Sequence, residues 1–205
     1  MVKSNIIKYD PDKSCKVKLD NNSKVEYIST FISKKDADKL YNHLLKIVPW
    51  VQGEYVMFGK PVKTPRLLWC MHDEENSVHK NYKVTGSSEW SRHVKKIKEF
   101  IENKFNTKLL YAQLNYYRDG SDYIGYHADK EVEDGDKIYS LSIGTERKFQ
   151  IKPINSDSSS IHEFNLKHGS LIIMDQNSCR NKYKHQILKD NKITEGRINI
   201  TFRNK

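Results

Sequence analysis

A histidine and an aspartate two residues apart form the first pair in this sequence that could hold a metal ion. Side chains at positions i and i+2 of an extended strand point to the same face, so His127 and Asp129 could bind one ion together. A third ligand would come from elsewhere in the chain, and the candidates are His162, His168 and His185. Two imidazoles and one carboxylate on one face of an octahedron leave three positions open, which is the arrangement of non-haem Fe(II) oxygenases.

The position of His127 in the chain favours it over a competing motif. His-x-Asp is a weak pattern by itself, and His72-Asp73-Glu74 offers a carboxylate at the same spacing. His127 follows a turn at Asp119-Gly120 and an aromatic segment at 123–126, and it enters the part of the chain that is rich in short β-prone runs. The sequence therefore favours a metal site at His127.

A segment with two arginines near the C-terminus is the second candidate for chemistry. Residues 197–203 alternate polar and apolar, so Arg197, Asn199, Thr201 and Arg203 would share one face of a strand. Guanidinium groups bind carboxylates in a bidentate manner, and two of them beside an amide and a hydroxyl would form an anion site. The alternative interpretation is an ordinary exposed amphipathic strand.

Two helices followed by many short strands would have to position these residues. Ser33, with Asp36 three residues later, predicts the start of a helix that ends at Pro49, and a second helix is predicted to open near 87–89. Short strands are predicted at 109–117, 138–143, 148–151, 170–174, 185–188 and 197–202. Helices first and strands afterwards predict an α+β chain whose C-terminal half is a sandwich or jelly roll.

Composition limits the class of protein and its compartment. The chain has 205 residues and a formal net charge of +10. This charge is compatible with an anionic partner such as nucleic acid and equally with a solvated lysine-rich surface, and composition alone does not decide between them. Three cysteines without CxxC spacing exclude a disulfide framework, and the polar N-terminus is no secretory signal. We therefore expect an intracellular, reducing compartment, nuclear or cytoplasmic, and no membrane span. Residues 1–24 are expected to form a flexible polar leader.

Several blocks, in order along the chain, resemble the AlkB family of Fe(II)- and 2-oxoglutarate-dependent dioxygenases. They are Asn115-Tyr116-Tyr117-Arg118-Asp119-Gly120, the segment 124–131 around the His-x-Asp motif, 138–144 with 147–149, 166–171 with Met174, His185, and 197–203. The resemblance runs from about residue 25 to 203 and implies one dioxygenase domain over 25–205. The implied fold is a double-stranded β-helix, or jelly roll, with a core at about 109–203, N-terminal bracing helices and a nucleotide-recognition lid at about 50–86.

The resemblance also implies roles for individual residues. The Fe(II) ligands that it implies are His127, Asp129 and His185. The 2-oxoglutarate pocket that it implies consists of Asn115, Tyr117, Arg197, Asn199, Thr201 and Arg203. Within that pocket Arg197 would hold the distal carboxylate of the co-substrate, and dioxygen would complete the reaction.

The segment between the two helices resembles the duplex-DNA repair branch of the family. Tyr55-Val56-Met57-Phe58-Gly59-Lys60 is similar to a short apolar finger with a Val-Phe-Gly-Lys motif, in which Met57 here replaces the valine. Phe58 would fill the gap left by a flipped base, and Lys60, after Gly59, would lie near phosphate. The alternative is a β-hairpin that packs its phenylalanine into the core.

Residues 81–86 are similar to the second recognition segment of the family, which would contact the target base. Tyr82 would stack on that base. Val84 stands where the repair branch often has a phenylalanine, so one wall of the base pocket is weaker here. Glu131, just past the His-x-Asp motif, would lie beside a methylated base that carries positive charge, such as 1-methyladenine or 3-methylcytosine. The alternative for Glu131 is a solvated loop residue.

Taken with the basic charge, the resemblance implies an enzyme that oxidatively demethylates alkylated bases in DNA and releases formaldehyde. The expected partner is DNA, single- or double-stranded, with RNA as an alternative, and the expected oligomeric state is a monomer. Three other hypotheses remain: an RNA demethylase of the same family, a nucleic-acid-binding module whose iron site is vestigial, and a protein hydroxylase on the same fold.

Overall fold

A computed structural model of the protein describes residues 5–57, 59–73, 89–130, 132–133, 135–155 and 160–204. Within these residues there are two α-helices, α1 (Lys34–Ile47) and α2 (Arg92–Phe105), and thirteen strands. The strands are β1 (Ile6–Lys8), β2 (Cys15–Asp20), β3 (Ser23–Ile28), β4 (Val51–Met57), β5 (Lys60–His72), β6 (Tyr111–Tyr117), β7 (Ile124–His127), β8 (Lys137–Gly144), β9 (Arg147–Pro153), β10 (Ile161–Leu166), β11 (Ser170–Asp175), β12 (Tyr183–Ile187) and β13 (Arg197–Arg203).

The strands form two sheets, one small and one large. The small sheet has five strands in the order β1-β10-β9-β12-β7, and the large sheet has eight in the order β2-β3-β11-β8-β13-β6-β5-β4. The pairings are antiparallel except for β1 beside β10, which is parallel. This architecture confirms the prediction of an α+β jelly roll.

Two apolar layers lie on either side of the large sheet. On one side, Ile198, Ile200 and Phe202 of β13 pack with Leu44 of α1 and Ile101 of α2. On the other side, side chains from both sheets share a second core in which the small sheet contributes residues such as Phe149 and Phe164 and the large sheet residues such as Tyr27 and Ile172. The large sheet is therefore buried on both faces where β13 crosses it, and every residue of β13 is buried. The exposed amphipathic strand that the pattern also allowed is excluded.

Both helices begin at a serine cap. The Ser33 hydroxyl accepts a hydrogen bond from the Asp36 amide at 3.1 Å, as the sequence predicts. The second helix begins at Arg92, a few residues later than predicted, because Ser91 has extended backbone angles and its hydroxyl accepts from the Val94 amide at 3.3 Å.

The N-terminal segment differs from the expected flexible leader. β1 pairs with β10 of the small sheet, and β2 pairs with β3 of the large sheet. The physical reason is local amphipathicity: Cys15, Val17 and Leu19 alternate with polar residues and pack against the core between the sheets. Tyr9 adds a stacked contact with Phe164, with ring centroids 4.5 Å apart.

Strands β4 and β5 form a long hairpin at the edge of the large sheet. Met57 pairs with Lys60, so only residues 58 and 59 connect the strands, and Gly59 takes a positive φ of 76° there. Near the tip, Tyr55 and Val56 are exposed to 45% and 75%. The hairpin thus presents apolar side chains to solvent from the edge strand of the large sheet.

Candidate metal and co-substrate site

His127, Asp129 and His185 lie together between the two sheets. Each offers one ligand atom, and these three atoms lie within 4.8 Å of one another. His127 Nε2 is 3.7 Å from one Asp129 oxygen, and His185 Nε2 is 3.5 Å from the other. The two histidines come from adjacent strands, because β7 and β12 pair with His127 directly opposite His185. The group is a candidate for a divalent metal ion with two imidazole ligands and one carboxylate.

Asp129 reaches this site by a route that the strand pattern did not anticipate. β7 ends at His127, so the i and i+2 rule for an extended strand does not extend to Asp129. Its backbone amide instead donates to the Cys179 carbonyl at 2.8 Å. Cys179 belongs to a π-helical turn at Asn177–Asn181, and Arg180 of the same turn donates to the Val132 carbonyl. The π-helical turn therefore holds the backbone at Asp129 and at Val132 in place.

The imidazoles direct their Nε2 atoms toward Asp129. His127 Nδ1 is 2.9 Å from the Gly125 carbonyl, which can only accept, so the Nδ1–H group donates to it and fixes the orientation of the ring. Burial, followed by the neighbouring His127, lowers the pKa of His185 to about 3. His185 is thus set up as a neutral ligand.

The Asp129 carboxylate is held in its charged form. Burial acts to raise its pKa, but the positive charge of Arg203 outweighs that effect, so the pKa of Asp129 lies below its ordinary value. Arg203 Nη2 is 3.3 Å from an Asp129 oxygen. An ionised carboxylate between these groups is a strong ligand for a hard divalent ion.

The other candidate histidines lie outside the site. The Tyr9 hydroxyl lies 2.6 Å from His162 Nδ1. His168 Nδ1 accepts from the Gly144 amide at 2.8 Å, and its Nε2 lies 3.0 Å from Asp38. Of the three histidines that local reasoning left open, the structure brings only His185 to the pair.

The metal-ligand candidates line one cavity between the sheets. All six residues predicted for 2-oxoglutarate line the same cavity, namely Asn115, Tyr117, Arg197, Asn199, Thr201 and Arg203. They come from β6 and β13, which are neighbours in the large sheet with Asn115 opposite Asn199. The structure therefore brings the two predicted sets of residues into one chamber.

Arg197 is the feature that marks the chamber as an anion site. Its side chain is only 1% exposed, and Nη2 donates to the Ser142 hydroxyl at 2.8 Å. Nε and Nη1 are buried and have no hydrogen-bond partner among the described residues. Burial lowers the pKa of Arg197 to about 10, against the opposing effect of Tyr117, whose ring centroid is 5.2 Å away. Two open donors on a buried guanidinium fit one carboxylate of a dicarboxylic co-substrate.

The remaining polar side chains of the chamber hold one another in place. Asn199 Nδ2 donates to the Ser140 hydroxyl at 2.6 Å, and the Thr201 hydroxyl donates to Asn199 Oδ1 at 2.8 Å. Arg66 on β5 donates from Nε to Asn115 Oδ1 at 2.8 Å and also lines the cavity. Sequence reasoning missed Arg66 as a site residue, because only the long-range pairing of β5 with β6 brings it beside Asn115.

Other lining residues also escaped prediction. They are Gln113, Ile124, Ser140, Phe149, Leu166, Met174 and Ile187. The alternation of side chains along β9 and β12 could have identified Phe149 and Ile187 as inward-facing residues. Nothing in the local sequence distinguishes Ser140 of β8, which lines the cavity, from a serine that only packs in the core.

A second buried arginine lies behind Tyr117. Arg147 donates to three backbone carbonyls, those of Asp119, Asp122 and Leu188, at 3.0, 2.8 and 2.6 Å. Its guanidinium lies 5.6 Å from the Tyr117 ring centroid. Arg147 thus ties two loops to the strand that carries the cavity wall.

Most of the predicted substrate contacts cannot be placed. Phe58, Tyr82, Val84 and Glu131 lie outside the described residues. Gly59 and Lys60 lie at the tip of the β4–β5 hairpin and are exposed. Their roles toward nucleic acid stay predictions.

The chain is similar to one sequence family and to individual proteins of known name. The profile of the 2OG-Fe(II) oxygenase superfamily matches residues 24–203. The DNA oxidative demethylase ALKBH2 of Arabidopsis thaliana is 28% identical over 220 residues, which cover 91% of this chain and 68% of that protein. Alpha-ketoglutarate-dependent dioxygenase alkB homolog 3 of Bos taurus is 28% identical over 182 residues, covering 84% of this chain and 63% of that protein. The chain thus spans about two thirds of the length of these relatives.

Solved structures share the fold. The structure of OsALKBH1 matches with a TM-score of 0.60 at 18% identity and covers 87% of this chain and 97% of that one. An oxidoreductase of the 2OG-Fe(II) oxygenase family from Burkholderia pseudomallei matches with a TM-score of 0.51 at 14% identity, covering 80% of this chain and 76% of that one. In the described part of the present chain, no helix has the length and apolar character needed to cross a membrane.

Proposed function

Since the chain belongs to the AlkB family within the 2OG-Fe(II) oxygenase superfamily, we propose that this dioxygenase oxidatively demethylates alkylated bases in DNA. Its cofactor is Fe(II), and its co-substrates are 2-oxoglutarate and dioxygen. The lesions proposed are 1-methyladenine and 3-methylcytosine. Removal of the methyl group restores the base directly.

The observation that carries the proposal is the shared chamber of the His/Asp/His group and the buried Arg197. His127, Asp129 and His185 would hold Fe(II), which supplies the oxidising chemistry when bound with 2-oxoglutarate and dioxygen. Arg197 would bind the distal carboxylate of 2-oxoglutarate through its two open donors, with Tyr117 covering its other face. The apolar walls of the chamber keep water away from the reacting groups.

The overall reaction balances as follows. One oxygen atom of dioxygen enters 2-oxoglutarate, which loses CO2 and becomes succinate, and the other enters the N-methyl group of the base. The N–C bond of the resulting N-hydroxymethyl group then breaks, so that formaldehyde leaves, the hydroxyl proton passes to water and the ring nitrogen keeps the electron pair of the broken bond. In this scheme the protein binds, orients and shields, and it supplies no covalent intermediate of its own.

Three features support DNA as the substrate. Relatives named as DNA oxidative demethylases cover most of the chain, and the formal net charge of +10 suits a polyanion. The exposed Tyr55 and Val56 near the hairpin tip, with Lys60 after them, form an apolar and basic edge. An iron site within a chamber cannot reach a stacked base, so the target must be flipped out, and an apolar tip suits that task.

The test is incubation of the protein with Fe(II), ascorbate, 2-oxoglutarate and oligonucleotides that carry 1-methyladenine, followed by mass spectrometry. We expect loss of one methyl group that requires 2-oxoglutarate. His127→Ala should abolish turnover, whereas His93→Ala, which alters an exposed histidine of α2, should retain it. Turnover of 2-oxoglutarate without loss of the methyl group would overturn the DNA proposal and direct the search to RNA or protein substrates.

Two further comparisons separate the alternatives. Phe58→Ala should reduce activity on duplex more than on single strands, and equal loss on both would refute the role of Phe58 as a wedge. If the unaltered protein binds oligonucleotides yet turns over neither 2-oxoglutarate nor a methylated base, the binding-module hypothesis replaces the enzyme.

A further inference from the structure

The outward face of the small sheet is distinct from the chamber. On β9, Phe149 points into the chamber, so its neighbours Lys148 and Gln150 point to the opposite side. On β12, His185 points inward and Lys184 outward by the same alternation. We use the term back face for this outward side of the small sheet.

Four lysines lie on the back face, and they come from three strands of the small sheet. Lys184 of β12 lies directly opposite Lys152 of β9, Lys148 lies four residues before Lys152 on the same strand, and Lys8 lies on β1 opposite Glu163 of β10. None of the four makes an ion pair with a carboxylate of the described chain. Within the five strands, the back face therefore carries four lysines against the one carboxylate of Glu163, so its net charge is positive.

The polar side chains between these lysines form a fixed network. Gln150 lies at the centre, where its Oε1 accepts from the Tyr126 hydroxyl at 3.0 Å and from Gln186 Nε2 at 2.9 Å. Its Nε2 donates to Glu163 Oε2 at 2.7 Å, and both of these side chains are buried. Glu163 is the one acidic residue in the five strands of the small sheet. Its hydrogen bond from Gln150 makes it part of this network.

An aromatic ring and a lysine lie together at the edge next to the metal ligands. Lys152 Nζ lies 4.1 Å from the centroid of the Tyr126 ring. Tyr126 immediately precedes His127, and β7, which carries both, is the edge strand of the small sheet. A polymer that leaves the chamber past His127 would meet Tyr126 and Lys152 first and the other lysines of the back face afterwards.

We propose that the back face binds the phosphate backbone of the nucleic-acid strand beside the target base. Lys148, Lys152 and Lys184 would contact successive phosphates, and the Tyr126 ring would give a flat surface at the turn from the chamber. This inference rests on the proposed nucleic-acid substrate. It assigns a second contact surface, on the opposite side of the molecule's small sheet from the chamber and separate from the β4–β5 hairpin.

The test is a charge-removing variant with a matched control. Lys148→Gln, Lys152→Gln and Lys184→Gln together remove three positive charges from the back face. The control removes three charges elsewhere by Lys18→Gln, Lys24→Gln and Lys137→Gln, which alter exposed lysines around a groove beside β2 and β3. Binding of a labelled single-stranded oligonucleotide is measured by fluorescence anisotropy over a range of salt concentrations.

Each phosphate contact contributes about 0.7 to the slope of log binding constant against log salt for single strands. The back-face variant should therefore show weaker binding and a slope reduced by about 2, whereas the control should keep a slope close to that of the unaltered protein. Equal slopes for the two variants, or a preference of the unaltered protein for anionic lipid vesicles over the oligonucleotide, would overturn the inference.

A second readout separates this inference from the proposed function. A methylated trinucleotide is too short to reach the back face from the chamber, so the back-face variant should demethylate it at the unaltered rate while losing rate on a long strand. Equal rates on the long strand would refute the back face as a contact surface, with demethylation intact. Absence of demethylation of either substrate by the unaltered protein would refute the proposed function instead.

Discussion

Replacing Arg197 by methionine should weaken co-substrate binding without destabilising the empty protein. The two open donors would give a carboxylate two charge-assisted hydrogen bonds, each contributing about 1.5–3 kcal/mol, so their loss costs about 3–6 kcal/mol of binding free energy. At about 1.4 kcal/mol per factor of ten, the affinity should fall by roughly 10² to 10⁴. The measurement is calorimetric titration of 2-oxoglutarate with Fe(II) under anaerobic conditions, which prevents turnover.

The stability of the empty protein should move in the opposite direction. Burial lowers the pKa of Arg197 from 12.5 to about 10, so keeping the guanidinium charged in the fold costs about 3 kcal/mol at neutral pH. The sign follows because the folded state binds this proton more weakly than the unfolded state. Arg197→Met removes that cost and loses one bond to Ser142, so the free energy of unfolding should stay level or rise by up to about 3 kcal/mol.

The neighbouring buried arginine offers a matched control. Arg147→Met removes the donors to three backbone carbonyls, so the free energy of unfolding should fall by at least about 3 kcal/mol. Urea unfolding of the two variants without ligand distinguishes the cases. Arg197 is not a buried co-substrate anchor if Arg197→Met unfolds as readily as Arg147→Met, or if Arg197→Met binds 2-oxoglutarate within about threefold of the unaltered protein.

Three other substitutions or conditions test separate parts of the structure. Asp129→Ala removes the carboxylate that offsets the Arg203 charge, so the free energy of unfolding should fall by about 3 kcal/mol. In anaerobic thermal melts, added Fe(II) should no longer stabilise this variant, and retained stabilisation would contradict Asp129 as a ligand. Gly144→Ala places a Cβ at φ +92°, 2.5 Å from the Gly196 carbonyl oxygen, and should cost about 2 kcal/mol in urea unfolding, a value that an unchanged midpoint would refute. Burial lowers the pKa of His162, so the folded state binds this proton more weakly than the unfolded state, and the free energy of unfolding should fall as the pH drops below about 6.5. His162→Phe should reduce that fall between pH 7.5 and 5.5. An identical fall in the variant would refute His162 as its source.

The C-terminal half of the fold could be predicted because its signals are local. The alternation in residues 197–203 identifies two faces of one strand, and the structure buries both of them. The choice among His162, His168 and His185 could not be made from local pattern. It depends on the pairing of β12 with β7, and such pairing between distant segments leaves no mark on either sequence alone.

The full length of β5 could not be predicted from the sequence, for a different reason. β5 contains Pro61 and Pro65 and several charged residues, which are typical of loops. A proline can occur in a strand where its missing N–H faces away from a partner, and β5 lies one strand from the edge of the large sheet. The anchor of Asp129 at Cys179 was equally hidden, because a π-helical turn has no sequence pattern that distinguishes it from an ordinary loop.

The pairing of β1 and β2 has a consequence for the handling of the protein. The superfamily profile begins at residue 24, so a protein shortened to that boundary would lack one outer strand of each sheet. The N–H and C=O groups along β10 and β3 would then be open to strands of other molecules. Such a shortened protein would self-associate through its sheets, and its usable concentration would be limited by aggregation. Strands β1 and β2 thus cover sheet edges that would otherwise be open to other molecules.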